Sequence, residues 1–270
     1  MKIPFYQIDA FTSRVFGGNP AAVLELADWL PDKTLQAITC ENNLSDTGFF
    51  VRHEGYYDLR WFTPTMEVDL CGHATLASAH VIFEEFGSDA EQIEFRTRSG
   101  PLYVRRDGER LAMDFPSKRA RPVEAPEPLL RGLKIVPSEI LATDDYLVVF
   151  ESEEQVRSLE PDQQLLGQID LRGVICSAPG DEVDFVSRFF GPHLGIAEDP
   201  VTGSAHTTLI PYWSSRLDRR QLHARQISSR GGELWCEDQG ERVQIAGHAA
   251  VYLRGEVALD SSKQAQPTGG

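Results

Sequence analysis

A helical segment without a charged side chain constrains the fold of this sequence more than any other feature. Residues 72–83, GHATLASAHVIF, place apolar side chains on every side of a helix. A helix that is apolar all round is normally buried at the centre of a domain. A strand containing Trp61 and Phe62 comes just before it. We therefore expect the first turn of this helix to lie inside the protein, with free N–H groups directed at whatever fills the space in front of it.

The second half of the sequence repeats the layout of the first. The segment RWFTP at 60–64 matches RFFGP at 188–192, and GHA at 72–74 matches GSA at 203–205. Turn glycines also correspond, Gly100 and Gly108 in the first half with Gly231 and Gly240 in the second. Matches in the same order at nearly the same offset predict two copies of one fold of about 130 residues each. Two unrelated αβ segments are the alternative.

Each copy is predicted to consist of strands and hairpins wrapped around its central helix. The helix after Gly203 carries no charge as far as Ser215, but Pro211 is expected to kink or end it. We place the domains at 1–117 and 118–260, with a linker at 115–128, and we allow the last strand to pack back on the first half. Residues 261–270 are expected to form a disordered tail. The other predicted elements are strands at 3–11, 47–51, 92–98, 102–106 and 110–115 and a helix at 31–42.

Composition excludes several classes of function. The formal net charge is −15, which opposes binding to nucleic acids and to anionic membranes. The start of the sequence lacks the apolar region of a signal peptide, and no apolar run reaches transmembrane length. The cysteines show no CxxC spacing, so we expect reduced thiols in a cytoplasmic protein. They are Cys40, Cys71, Cys176 and Cys236.

The two helix starts predict a site for an anion. If the halves are related by a pseudo-two-fold axis, both helix N-termini point into the cleft between them, and such clefts are common ligand sites. The N–H groups of Gly72, His73, Gly203 and Ser204, together with the Ser204 hydroxyl, can hold a carboxylate there. Glycine before each helix permits a close approach of the backbone. The alternative is that these glycines serve only the turns.

His73 and Asp199 are the candidate polar groups of this cleft. A positive helix end should lower the pKa of His73 and favour neutral imidazole. Asp199 is positioned to orient that imidazole or to bind an ammonium group. The structural alternatives are a buried core histidine and a simple N-cap.

Other chemistries fit the sequence less well. The alternation of Asp69, Cys71 and His73 suggests a metal site, but it matches no standard zinc spacing. Ser204 lacks the G-x-S-x-G surroundings of a nucleophilic serine. Dinucleotide and phosphate-loop motifs and an obvious cofactor lysine are absent from the sequence, so we expect no cofactor and no metal.

Four motifs in order give the sequence a family resemblance. DAFTSRVFGGNPAAV at 9–23, NNLSDTGFFV at 42–51, FTPTMEVDLCGHATLA at 62–77 and GIAEDPVTGSAH at 195–206 resemble those of the PhzF-like (phenazine biosynthesis) isomerases. The likeness covers nearly the whole chain. It implies an α+β fold shared with diaminopimelate epimerases, in which two pseudo-symmetric domains each wrap a barrel-like, mostly antiparallel sheet around a central apolar helix. It also implies a homodimer.

The resemblance implies proton transfer without a cofactor. In the family, a glutamate in the second motif removes a proton from an activated C–H group and returns it elsewhere on the substrate. That role falls on Asp46 here, with His73 and Asp199 binding and polarising the substrate. Gly203 and Ser204 hold its carboxylate. Asn19 in the first motif is a further predicted substrate contact.

Asp46 is also where the sequence departs from the family pattern, because aspartate is one methylene shorter than glutamate. A displacement of a reacting group by about 1 Å can cost roughly 100-fold in rate. Three alternatives follow from this difference. The cleft is remodelled so that Asp46 still transfers the proton, the protein acts on a different substrate, or it mainly binds a small molecule without efficient catalysis. A two-thiol racemase is disfavoured because Thr202 stands where a partner for Cys71 would be needed. We predict an isomerase acting on a small carboxylate, with an amino-acid epimerase or racemase and a non-catalytic binder as alternatives.

Overall fold

A computed structural model describes residues 1–259 of the protein, so the predicted tail at 261–270 lies outside the described residues. The first half contains β1 (Lys2–Ala10), β2 (Asn19–Leu26), α1 (Asp32–Asn42), β3 (Asp46–Arg52), β4 (Tyr57–Phe62), β5 (Glu67–Val68), α2 (Gly72–His80), a π-helical turn (Val81–Glu85), β6 (Gln92–Thr97), β7 (Gly100–Asp107) and β8 (Arg110–Pro116). The second half contains β9 (Arg121–Pro122), α3 (Glu127–Leu133), β10 (Glu139–Ala142), β11 (Tyr146–Val149), α4 (Glu153–Arg157), α5 (Gln163–Leu166), β12 (Val174–Pro179), β13 (Phe185–Gly191), a 3-10 turn (Pro192–Leu194), β14 (Ile196–Asp199), α6 (Gly203–Leu217), β15 (Gln221–Gln226), β16 (Gly232–Asp238), β17 (Arg242–Gly247) and β18 (Ala249–Ala258).

The order of strand pairing is the same in both halves. In the first, β1 pairs antiparallel with β2, β2 runs parallel to β3, β3 is antiparallel to β4, and β4 is parallel to β6. In the second, β10 and β11 are antiparallel, β11 and β12 parallel, β12 and β13 antiparallel, and β13 and β15 parallel. A three-strand meander then follows, β6–β7–β8 in one half and β15–β16–β17 in the other. The predicted repeat and fold class are confirmed.

Two strand pairs join the halves into one continuous sheet. The last strand of each meander meets the other, since β8 pairs antiparallel with β17. The final strand of the chain, β18, pairs antiparallel with β1 at the start of the chain. The two halves therefore share backbone hydrogen bonds in two separate strand pairs.

The central helices are buried as the sequence predicts. Every residue of α2 from His73 to Ala79 is buried, and α6 is buried along most of its length. Side chains of both helices, including Leu76 and Trp213, belong to one apolar cluster. The helices thus form the middle of the molecule, and their first turns lie where the two halves meet.

The helix does not end at Pro211, which was one of the two predicted outcomes, because α6 continues through it to Leu217. Proline cannot donate to the carbonyl four residues earlier, which here is that of Thr207. The Lys118 N–H, just after β8, donates to the Thr207 carbonyl instead, at 3.0 Å. A bond from outside the helix thus satisfies the acceptor that proline leaves free.

Two further differences concern where one strand ends and which short elements the structure contains. Strand β1 ends at Ala10 rather than Phe11, which is buried with a φ of 63°. The short elements between Arg121 and Leu166 were not predicted from the sequence. Among residues 1–259, no helix combines the length and apolar character needed to cross a membrane.

Candidate active site

Asp46 lies at the start of β3 and is almost completely shielded from solvent. Its backbone pairs with Ala21 of β2, and only 8% of the residue is exposed. Burial raises the pKa of the Asp46 carboxyl to about 8, and the nearby charge of Asp199 adds to the increase. A hydrogen bond from the Cys71 thiol acts in the opposite direction. A carboxyl group with this pKa can gain or lose a proton close to neutral pH.

His73 lies beside Asp46 in the first turn of α2. Its Nε2 is 3.5 Å from Oδ2 of Asp46. The pKa of His73 falls to about 3, and the cause is burial. The predicted direction of this pKa shift is correct. The imidazole is neutral at physiological pH, so the contact with Asp46 is not an ion pair under those conditions.

The carboxamide of Asn19 links the two halves of the site. Its Nδ2 donates to Oδ1 of Asp199 at 2.9 Å and to the Val201 carbonyl at 2.8 Å, and it lies 3.3 Å from Nδ1 of His73. The Ser45 hydroxyl donates to Oδ1 of Asn19 at 3.3 Å. Asn19 is fully buried, so this sequence-predicted contact residue also fixes the relative positions of the polar groups around it.

Asp199 ends β14 and is buried on the side of the second half. Burial raises its pKa to about 6, against the effect of hydrogen bonds from Thr202 and Asn19. The Thr202 hydroxyl donates to Oδ2 of Asp199 at 2.5 Å. Gln226 of β15 secures this turn by donating to the Asp199 carbonyl and accepting from the Thr202 N–H, each at 2.8 Å. Gln226 was not predicted from the sequence, because its place in the site depends on the pairing of β15 with its neighbouring strands.

Cys71 and Thr202 occupy equivalent positions before the two central helices. Burial raises the pKa of the Cys71 thiol well above its usual range. The structure brings Cys71, His73 and Asp46 together, with one potential metal-ligating atom from each within 4.8 Å of the others. Asp69 is exposed and does not belong to this cluster, so the triplet considered from the sequence is wrong in that member.

Gly72 and Gly203 bring the two helix starts into direct contact. A β-carbon added to Gly72 would lie 3.7 Å from Cα of Gly203, and one added to Gly203 would lie 3.6 Å from Cα of Gly72. The first N–H groups of a helix have no carbonyl within the helix to receive them. Those of Gly72, His73, Gly203 and Ser204 therefore form a small donor-rich region between Asp46 and Asp199.

Ser204 contacts a guanidinium that sequence analysis missed. Nη2 of Arg172, which lies between α5 and β12, donates to Oγ of Ser204 at 3.1 Å. Arg172 also binds Asp145 through Nε and Nη2, at 2.9 and 2.5 Å. Arg172 and Asp145 could not be recognised from the sequence, because each lies in an irregular connection outside the predicted motifs.

Two surface depressions lie away from the cluster around Asp46. One of about 570 Å³ is lined by residues 88–92 with Arg105 and Arg106, and shares no residue with the cluster around Asp46. It is polar and formed by the outer strands of the first half. The buried pair of Asp46 and His73 therefore lies away from this depression.

The fold and this site define a protein of two similar halves, with a buried cluster of acid and imidazole groups where the halves meet. A hydroxyproline epimerase from Agrobacterium vitis has the same fold, with a TM-score of 0.65 over 97% of this chain and 94% of the other at 8% identity. A family model described as phenazine biosynthesis-like protein, PhzC-PhzF, matches residues 8–255. The chain belongs to this phenazine biosynthesis-like family.

Related proteins from bacteria and from a mammal support this family membership. An uncharacterized isomerase of Pseudomonas aeruginosa is 52% identical over 96% of this chain and 100% of its own length. The phenazine biosynthesis-like domain-containing protein of Homo sapiens is 39% identical over 94% of this chain and 99% of its own. The crystal structure of a PhzF family protein from Enterococcus faecalis has a TM-score of 0.94 and 46% identity, over 96% of this chain and 100% of that one. These similarities support an isomerase-like enzyme in general.

Proposed function

We propose that this protein is a cofactor-independent isomerase that moves a proton on a small carboxylate substrate, with Asp46 as the general acid and base. The buried Asp46 carboxyl beside His73 carries the proposal, since its pKa of about 8 suits proton exchange near neutral pH. A general acid–base group works best when its pKa is close to the working pH. Aspartate at this position is then a working shuttle in a site built around it.

The proton balance of the reaction is simple. The Asp46 carboxylate takes a proton from an activated C–H group, and the electron pair moves into the conjugated system of the substrate. The Asp46 carboxylic acid then returns the proton to another carbon of the same molecule. Substrate and product are isomers, and Asp46 regains its starting state, so the cycle needs no co-reactant.

The other groups bind and polarise the substrate in this proposal. The free N–H groups at the two helix starts hold the substrate carboxylate, on Gly72, His73, Gly203 and Ser204. Neutral His73 and ionised Asp199 contact polar atoms next to the reacting carbon. Asn19 keeps these two groups at a fixed separation through its bonds across the site.

Thr202 and Cys71 favour proton transfer by one carboxyl group over the two-thiol mechanism of a racemase. Thr202 stands where the second thiol would be required, and its hydroxyl is already committed to Asp199. The pKa of the Cys71 thiol is raised by burial, which opposes formation of a thiolate. One thiol that stays protonated is poorly suited to remove a proton from carbon.

Exchange of substrate hydrogen with solvent tests the proposal. A set of cyclic and unsaturated carboxylates is incubated with the protein in deuterium oxide, and deuterium uptake at carbon is followed by mass spectrometry. We expect uptake with the wild type, loss of uptake with Asp46→Asn, and normal uptake with Asp69→Asn, which makes the same change at an exposed acid. No uptake with the wild type but uptake with Asp46→Glu would favour the binding protein instead.

A further inference from the structure

Arg172 is held rigidly next to the start of α6 by a buried acid. Its Nε and Nη2 donate to the two carboxylate oxygens of Asp145, whose side chain is only 3% exposed. The guanidinium also lies 5.7 Å from the ring centre of Phe189. A paired, planar guanidinium fixed on one edge has little freedom left, so the direction of its other edge is set.

The other edge of this guanidinium is only partly used. Nη2 donates to Oγ of Ser204, and Nη1 has no hydrogen-bond partner among residues 1–259. The side chain is 34% exposed although its partner Asp145 is buried. Both hydrogens of Nη2 are donated, to Asp145 and to Ser204, so an anion at this edge would bind the free N–H of Nη1 through a charge-assisted hydrogen bond.

Ser204 has a hydrogen left to donate as well. Its Oγ accepts from Arg172, so its own O–H can point to a second group. The backbone N–H of the same residue lies in the first turn of α6 and has no carbonyl partner within that helix. Three kinds of donor therefore converge beside Gly203: a guanidinium N–H, a hydroxyl and a backbone amide.

We infer that Arg172 is a substrate-binding residue whose free Nη1 edge, together with the Ser204 hydroxyl, binds the carboxylate of the substrate and selects carboxylates over neutral amides. The inference rests on the proposed function, which it refines by placing the substrate carboxylate on the side of α6. The cation also offsets the repulsion between that carboxylate and Asp199, because its charge acts on Asp199. The reacting carbon is then directed towards Asp46 across the contact between Gly72 and Gly203.

The test compares benzoate with its uncharged analogue benzamide by calorimetric titration. We expect the wild type to bind benzoate more tightly than benzamide. In Arg172→Gln the ratio of the two affinities should fall by about 10-fold, because one charge-assisted hydrogen bond is lost. Arg225→Gln is the matched control, since Arg225 also pairs with acids and has a similarly exposed side chain, 37%. It lies on β15 and should leave the preference unchanged.

Removal of Arg172 alone leaves Asp145 buried without its cation, so the double variant Asp145→Asn, Arg172→Gln is titrated too. It should fold, as judged by its circular dichroism, and show the same loss of preference. If both Arg172 variants keep the wild-type preference, or the wild type has none, the inference fails.

Deuterium uptake that still depends on Asp46 would in that case leave the proposed function standing. Conversely, an Arg172-dependent preference without Asp46-dependent uptake would overturn the proposed function and keep the carboxylate contact.

Discussion

Oδ2 of Asp46 lies 3.5 Å from Nε2 of His73, and both side chains are shielded from water. Burial moves their pKa values in opposite directions, to about 8 for the carboxyl and about 3 for the imidazole. Each group is therefore uncharged between those values, since burial disfavours the charged form of either one. The pair is a neutral acid next to a neutral imidazole at neutral pH, and it gains a negative charge only when Asp46 ionises.

The ionisation of Asp46 should control the pH dependence of proton transfer. Only the carboxylate can remove a proton from carbon, so kcat/KM should rise with pH and level off above a midpoint near 8. The measurement is the initial rate of deuterium uptake over a series of buffers on both sides of that midpoint. An activity that is flat through this range, or that falls as pH rises, would show that another group removes the proton.

The same pKa shift predicts that Asp46 destabilises the folded protein above acidic pH. The folded carboxyl holds its proton up to about pH 8, whereas the ordinary value is 3.8, so between these values the folded state binds more protons. Stability must then decrease as pH rises through this window, and the loss is complete above the folded pKa. Asp46→Asn removes this effect and should stabilise the protein by about 4 kcal/mol at neutral pH.

Urea denaturation of both proteins at several pH values checks this expectation. The stability difference should be small near pH 4, grow as pH rises, and become constant above about pH 8. Asp69→Asn should show no such growth, because Asp69 is exposed. Parallel stability curves for the wild type and Asp46→Asn would contradict a raised pKa at this position.

The contact between Gly72 and Gly203 predicts a non-additive pair of substitutions. A single added β-carbon would sit 3.6 or 3.7 Å from the opposite Cα, which is an ordinary van der Waals separation. Each single alanine variant should therefore fold with a cost below about 1 kcal/mol. The double variant places two β-carbons in the same gap and should cost about 1–2 kcal/mol more than the sum. A double-mutant cycle from urea denaturation measures the difference, and additive costs would mean that the helix starts can separate freely.

The sequence was sufficient for those features that depend on local pattern or on the repeat. The two central helices begin at Gly72 and Gly203 because an apolar run follows a glycine in each half. The equivalence of Cys71 and Thr202 follows from the same repeat. Burial of α2, which the apolar pattern predicts, also explains why His73 is neutral.

Contacts between distant segments had no local signal. Arg172 and Asp145 meet because β11 and β12 are parallel neighbours, which places the residues before each strand side by side. The bond from Lys118 to Thr207, which lets α6 continue through Pro211, likewise depends on the packing of one half against the other. Such contacts appear only when the complete fold is known.

Arg230 shows how such a distant contact supports the site. It follows β15 in the second half and donates through Nη2 to Oδ1 of Asp9 at 2.8 Å. The same guanidinium donates to the carbonyls of Gly17 and Gly18, also at 2.8 Å. Gly18 has a φ of 59°, and a β-carbon there would lie 2.1 Å from the Ala10 carbonyl oxygen, so the turn depends on glycine.

Substitution Arg230→Met should therefore destabilise the protein and disturb the site together. Asp9 is only 1% exposed and would lose its cation, which predicts a cost of about 2–3 kcal/mol in urea denaturation. Asn19, directly after the released turn, would hold His73 less firmly, so the rate of deuterium uptake should fall even in the fraction that remains folded. Arg242→Met is the control, because Arg242 and its partner Asp114 are 49% and 41% exposed, and it should cost below about 0.5 kcal/mol. Equal costs for the two variants would mean that the bonds from Arg230 do not hold the two halves together. An unchanged rate of deuterium uptake would mean that these bonds are not needed to position Asn19.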